Sequence, residues 1–391
     1  MQITLGSVHP ETAIPAVSGV ETGKCDFPIS PVFNDLQSSK MPVHPCTGPG
    51  ARLSGRALPK DRRGSSWWLG AMLVLSFAGG TVAAEGLDVQ SEIRPFIREL
   101  AVQDGLDAAA TERILSHARI LPRVLERIAR PAEAMPWHAY RKLFLTPERI
   151  AGGVSFRDRN RALLERASRE YGVDSAVITA IIGVETFYGR HQGRTRVLDA
   201  LATLGFRYPR RGKFFRAELA QFLLLSQEER LDPLTLEGSY AGAMGLGQFI
   251  PSSYRRYAVD FDGDQQRDLI GNVADAIGSV ANYLKVHGWQ RGAAVAIPVT
   301  VSGDRYRVLL ERGLAPHTPL ARMAALGVHG DGLATDTRQA ALIELAGAGG
   351  PEYWAGLRNF YVITRYNHSP LYAMAVWQLA QAIAAAGTAN E

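Results

Sequence analysis

Beyond residue 85 apolar side chains recur at helical spacing through most of the chain. Ile93, Phe96, Ile97 and Leu100 share one helix face, and a second periodic stretch runs through Ile114, Ala118, Ile120, Val124 and Ile128. Asp158 to Tyr171 reads as a further helix, with Asp158 as N-cap, Leu163, Leu164, Ala167 and Tyr171 on one face, and Gly172 as its stop. Asp174 or Ser175 then caps a strongly apolar helix from Val177 to Phe187, which Gly189 ends. Helices are also predicted at Phe214 to Leu225, Asp275 to Val286 and Tyr372 to Ala385, whereas the β-branched run Ala293 to Val301 reads as a strand of a minor lobe. Residues 302 to 350, rich in Gly and Ala, show no clear period. The pattern therefore predicts a mainly α protein with a small additional α/β lobe, and no internal repeat marks a separate binding module.

The first 84 residues are different in kind. Residues 1–59 are rich in Pro, Gly, Ser and Thr without hydrophobic period, so they read as an unstructured extension, or as a stretch upstream of the natural start. Residues 60–84 follow the pattern of a secretory signal: Lys60, Arg62 and Arg63, an apolar run from Trp67 to Phe77, then Val82, Ala83 and Ala84 before Glu85. The run is short of the roughly 20 residues a membrane span needs. No cysteine follows it, since Cys25 and Cys46 are the two in the chain, so a free periplasmic protein is expected rather than a lipid-anchored one. Residues 85–391 are the working part, without thiol chemistry.

Charge excludes little else. The net charge is +5, and seven Lys/Arg against five Asp/Glu in residues 1–84 leave +3 for the rest, too mild a balance to indicate nucleic acid.

Four segments carry candidate chemistry. In Ile181 to Gly189 (IIGVETFYG), Glu185 stands among Ile181, Ile182, Val184, Phe187 and Tyr188, where burial would favour the neutral acid that glycosidic cleavage requires. The alternative is a structural Glu paired with Arg190 or Arg194. Glu237 to Tyr254 (EGSYAGAMGLGQFIPSSY) is a glycine-rich segment that either packs closely or leaves Ser239, Tyr240 and Gln248 open to a ligand, with Ser252 and Ser253, just after Pro251, as a helix start. Asp260, Asp262, Asp264 and Asp268, with the carbonyl of Gln266, take positions 1, 3, 5, 9 and 7 of an EF-hand-like loop. Gln265 stands where that loop has glycine and Gly271 where it has a bidentate glutamate, so the reading is a weakened Ca²⁺ site or a solvated acidic turn. Tyr366, Asn367, His368 and Tyr372 crowd polar and aromatic groups as a sugar-binding wall does, or as a capped turn does.

In this order, and with Asp275 to Trp289 (DAIGSVANYLKVHGW) and Ile363 to Ser369 (ITRYNHS), the segments resemble the lytic murein transglycosylase B family from about Ser91 to Ala385. The resemblance implies a lysozyme-like catalytic core with a groove for peptidoglycan glycan strands, and Glu185 as the sole catalytic acid and base. It implies sugar contacts from Ser239 and Gln248, a groove lined by Tyr283, Tyr366, Asn367 and Tyr372, and structural Ca²⁺ at Asp260, Asp262, Asp264, Gln266 and Asp268. No cofactor is expected for the chemistry, and penicillin-binding proteins or other wall synthases are the expected partners. Two rivals remain: a hydrolytic muramidase, for which Glu237 is the candidate second carboxylate, and a scaffold that binds glycan without cutting it.

Overall fold

The computed structural model describes residues 86–129 and 135–388. The extension read at 1–59 and the export signal read at 60–84 lie outside the described residues. None of the described helices is long and apolar enough to cross a membrane.

The centre of the molecule is the helix Ser175–Thr186, buried at every position from Val177 to Thr186. A helix apolar all round must be enclosed by others, and here Pro147–Arg159, Arg161–Tyr171, Val273–Val286 and Pro370–Thr388 surround it. A second helical layer pairs Val197–Arg207 with Gly212–Glu228. Together these elements bury the larger hydrophobic core, which includes Trp137, Phe156, Leu164, Phe222, Tyr254 and Leu379.

The smaller lobe has its own core, including Val299, Leu309, Met323 and Leu342. After a two-stranded ribbon of β1 (Thr195–Arg196) and β2 (Glu237–Gly238), the lobe supplies β3 (Ala296–Val301), β4 (Thr318–Pro319), β5 (Val328–His329), β6 (Gln339–Gly347) and β7 (Gly350–Gly356). Their order is β4-β6-β7-β3-β5, antiparallel throughout, with the β6–β7 hairpin in register from Ala341↔Gly356 to Gly347↔Gly350.

Two expected helices fall differently. The stretch from Ile114 to Ile128 is split into Ala108–Leu115 and Pro122–Ile128, because Pro122 lacks the N–H a continuing helix needs. The linker between them binds the second layer instead: Arg119 N–H donates to Asp199 Oδ1 at 2.8 Å and Leu121 N–H to Thr203 Oγ1 at 2.9 Å. Asp158 lies inside Pro147–Arg159 and caps nothing, since the next helix, Arg161–Tyr171, begins after Asn160. Gly172 ends it in the left-handed region at φ 76°, as expected.

Candidate active site

Glu185 is in the last turn of the central helix and 1% exposed. The hydroxyl of Tyr372, on Pro370–Thr388, donates to its Oε1 at 2.6 Å. Behind Tyr372 the rings of Tyr366 (6.5 Å, stacked) and Tyr283 (4.8 Å from Tyr366) continue away from the acid. Tyr366 donates to Gly247 O and Tyr283 to Arg365 O, each at 2.5 Å. Burial pushes the Tyr366 and Tyr372 phenols well up from their ordinary range, and the charge of Glu185 pushes the same way, so both remain hydrogen-bond donors.

The residues predicted as a groove wall are thus clustered about Tyr372 and buried like the acid itself. Tyr283 is 9% exposed, Tyr366 4%, and Asn367 and Tyr372 are fully buried, with Asn367 Oδ1 accepting from Ser369 N–H at 3.1 Å. Through Tyr372 this cluster holds the carboxyl. The role of Tyr372 as a direct partner of Glu185 could not be read from chain spacing, because 187 residues separate the two.

The end of the acid helix is unusual. Phe187 and Tyr188 are consecutive left-handed residues, at φ 52° and 61°, a conformation that side chains with a Cβ rarely adopt. What compensates is a slot for the Tyr188 ring between two helices. A Cβ at Gly183 would lie 2.7 Å from the ring, at Gly152 2.9 Å, and at Gly153 2.6 Å from its hydroxyl. The hydroxyl donates to Arg149 O at 2.8 Å. The guanidinium of Arg149 in turn donates to Gly183 O and lies over the rings of Phe144 (5.2 Å) and Phe187 (4.6 Å). Arg149 therefore supplies a donor to a carbonyl near the helix end, two residues before Glu185.

The glycine-rich segment packs against the same helix end. Thr186 Oγ1 lies 2.9 Å from Leu246 O and accepts from Gly189 N–H at 3.0 Å. Ser239 is 1% exposed and its Oγ accepts from Ala241 N–H (3.3 Å) and Ala243 N–H (3.0 Å). Gln248, at φ 51°, donates through Nε2 to Gly245 O (2.9 Å) and Gln192 O (3.1 Å), while its buried Oε1 has no protein partner among the described residues. Ser239 borders a cleft of about 310 Å³.

The aspartate loop follows. Asp260, Asp262, Asp264 and Asp275 each bring one carboxylate oxygen within 4.8 Å of the others. Asp268, in the predicted ligand set, is not among these carboxylates. Asp268 Oδ1 instead accepts from Ile270 N–H (2.8 Å) and Gly271 N–H (2.9 Å), and Asp275 reaches in from the start of Val273–Val286. Gln265 takes φ 73°, the left-handed turn that glycine usually supplies at this position. The loop is coupled to the acid: Leu246 N–H donates to Leu269 O at 2.8 Å, and Leu246 meets Thr186 as above.

Of the two rival partners for Glu185, neither fits. Glu237 is exposed on β2, opposite Arg196, and Arg190 and Arg194 pair with no carboxylate among the described residues.

A buried acid ending an apolar helix, with a tyrosine donor on it and a glycine-rich segment beside it, fits the class of helical glycan-cleaving cores. The chain belongs to the lytic murein transglycosylase family, through a transglycosylase SLT domain matched over residues 88–381. It is 46% identical over 301 residues to membrane-bound lytic murein transglycosylase B of Escherichia coli strain K12, covering 74% of this chain and 82% of that protein. Among solved structures, soluble lytic transglycosylase SltB1 of Pseudomonas aeruginosa is 45% identical, with a TM-score of 0.71 over 75% of this chain and 98% of the other. The Escherichia coli lytic transglycosylase Slt35, solved in complex with calcium, is also 45% identical, with a TM-score of 0.70 over 79% of this chain and 98% of the other. The mainly α, lysozyme-like core with a small additional lobe is thus the fold of this family.

Proposed function

We propose that the chain cuts the β-1,4 bond between N-acetylmuramic acid and N-acetylglucosamine of peptidoglycan without water, leaving 1,6-anhydro-N-acetylmuramic acid ends. The observation that carries this reading is Glu185, buried at the end of the apolar helix and held by Tyr372. As the neutral acid it donates its proton to the glycosidic oxygen while the substrate's own N-acetyl oxygen attacks C1. As the carboxylate it then takes the proton of the C6 hydroxyl, whose oxygen closes on C1 and expels the N-acetyl group. Hydrolysis through two carboxylates needs the pair roughly 5 to 9.5 Å apart, and the exposed position of Glu237 speaks against it as the partner. Gln248 Oε1 is an acceptor suited to the N-acetyl N–H of a bound sugar, with Ser239 beside it. Export to the periplasm follows from the signal read at 60–84. Digestion of purified sacculi by residues 85–391, followed by mass spectrometry, is expected to release muropeptides one water lighter than hydrolytic products. Reducing-end products in their place would make the enzyme a muramidase.

The aspartate loop is assigned a structural Ca²⁺. The donors are hard carboxylate oxygens of Asp260, Asp262, Asp264 and Asp275, and the loop adopts its left-handed turn even without glycine. The missing position-12 carboxylate at Gly271 makes the site weaker than a full EF-hand. A bound Ca²⁺ would offset half the charge of the four carboxylates and stiffen the path from Leu269 through Leu246 to Thr186. Addition of Ca²⁺ at ten to a hundred times its Kd is expected to stabilise the protein by about 1.4 to 2.7 kcal/mol, which raises Tm by a few degrees in a calorimetric scan; Asp262→Asn should abolish the shift.

A further inference from the structure

Four arginines surround the cleft beside Ser239. Arg123 and Arg127 come from the helix Pro122–Ile128, one turn apart, and Arg190 and Arg194 from the loop that follows the acid helix. Among the described residues none of the four side chains forms an ion pair or hydrogen bond; the Arg190 guanidinium makes a cation–π contact, 4.7 Å from the Phe187 ring. Their neighbour Arg196, by contrast, is held by Asp199 at 2.6 Å. Among the described residues the lining of the cleft holds no carboxylate; guanidinium groups gathered round one cavity repel one another and favour an anion within it, and their planar donor pairs match carboxylates best.

The cleft is built rather than incidental. Its loop is tied to the acid helix by His191 N–H donating to Thr186 O at 2.9 Å and by the His191 ring stacked on Phe187. Gly193, at φ 97°, lets the loop press on the glycine-rich segment so closely that a Cβ there would lie 2.0 Å from Gly238 O. Thr195 pairs with Gly238 across the ribbon, so the backbone that carries Arg190 and Arg194 is tied to the segment of Ser239.

The uncleaved glycan backbone is neutral apart from what its N-acetylmuramic acid carries, and the charge it brings is that of the free carboxylates on the peptide attached there. We propose that the arginine cleft binds those peptide carboxylates, making the enzyme selective for strands with acidic, unmodified peptides. The proposal rests on the peptidoglycan reading above.

The test uses two substrates: native sacculi, and sacculi whose carboxylates have been converted to carboxamides by carbodiimide coupling with ammonia. The variants are Arg123→Gln/Arg127→Gln and Arg190→Gln/Arg194→Gln. All four residues are exposed, and Tm confirms that each variant folds. On native sacculi each pair is expected to lower kcat/KM roughly 5- to 20-fold, chiefly through KM, with the size set by charge-assisted hydrogen bonds at an exposed site. Amidation should impose a similar loss on the unsubstituted enzyme and little further loss on the variants. The proposal is overturned if amidation leaves the unsubstituted enzyme unaffected, or if amidation lowers variant and unsubstituted enzyme by the same factor. Failure of the peptidoglycan reading is told apart by the products, since neither substrate would then yield anhydro ends.

Discussion

Glu185→Gln is expected to lower kcat on sacculi by roughly two to four orders of magnitude, the range general acid–base catalysis supplies, and towards its upper end because one residue serves as both acid and base. KM should change little, since a group acting only in the transition state does not hold the ground-state substrate. The amide keeps an acceptor for the Tyr372 hydroxyl, now 2.6 Å from the carboxyl, and removes an ionisable group from a site 1% exposed. Thermal stability should therefore be equal or higher, a trade common where a buried ionisable group is kept for function. Glycan binding measured with the inactive variant should remain. A variant that still digested sacculi at the normal rate would remove Glu185 from the mechanism, whereas loss of binding along with turnover would point to a structural role.

Gly183→Ala should damage both stability and rate. The added methyl would stand 2.7 Å from two ring carbons and the hydroxyl of Tyr188, which cannot retreat because Gly152 and Gly153 already receive its other side. Overpacking of this kind costs about 1 to 3 kcal/mol, and losing the Tyr188 hydrogen bond to Arg149 O adds about 1 kcal/mol. Tm should fall by roughly 4 to 16 °C at the 2 to 4 °C per kcal/mol that applies to domains of somewhat smaller size. The ring can escape only by unwinding the left-handed pair Phe187 and Tyr188, and that motion displaces Glu185, so kcat should fall in the surviving folded fraction. Gly183→Ala combined with Tyr188→Ala tests the cause: if the clash is the source, the two losses will be far from additive. Additive losses would mean that Gly183 matters for another reason.

Much of this was legible in the chain before any tertiary information. The acid helix announces itself as an unbroken apolar run closed by Gly189, and the structure places it at Ser175–Thr186. Gly172 stops its helix, and the strand read at Ala293 to Val301 appears as Ala296–Val301. Such features depend on neighbours three or four residues away, on whether a residue has a Cβ and on whether it has an N–H, and all of these are written locally. Where local rules competed, they misled: Pro122 broke a stretch whose hydrophobic period ran on, and Asn160 rather than Asp158 stands at the boundary of two nearly continuous helices.

The resemblance brought Glu185, Ser239, Gln248 and the aspartates forward, yet not what each of them touches. Loop spacing selects Asp268, but its carboxylate is drawn onto the N–H groups of its own turn, and Asp275 takes the place beside Asp260, Asp262 and Asp264. The tyrosines expected along a groove stack on one another next to the acid, and the cleft joins arginines from two segments more than sixty residues apart. The chain by itself determined which stretches would be helical and which carboxyl would sit in apolar surroundings, because period and turn chemistry act over a few residues. Only the packing of helices decided that Tyr372 donates to Glu185, that three glycines admit Tyr188, and that four arginines face one cavity, because such contacts depend on which helix faces meet and at what distance.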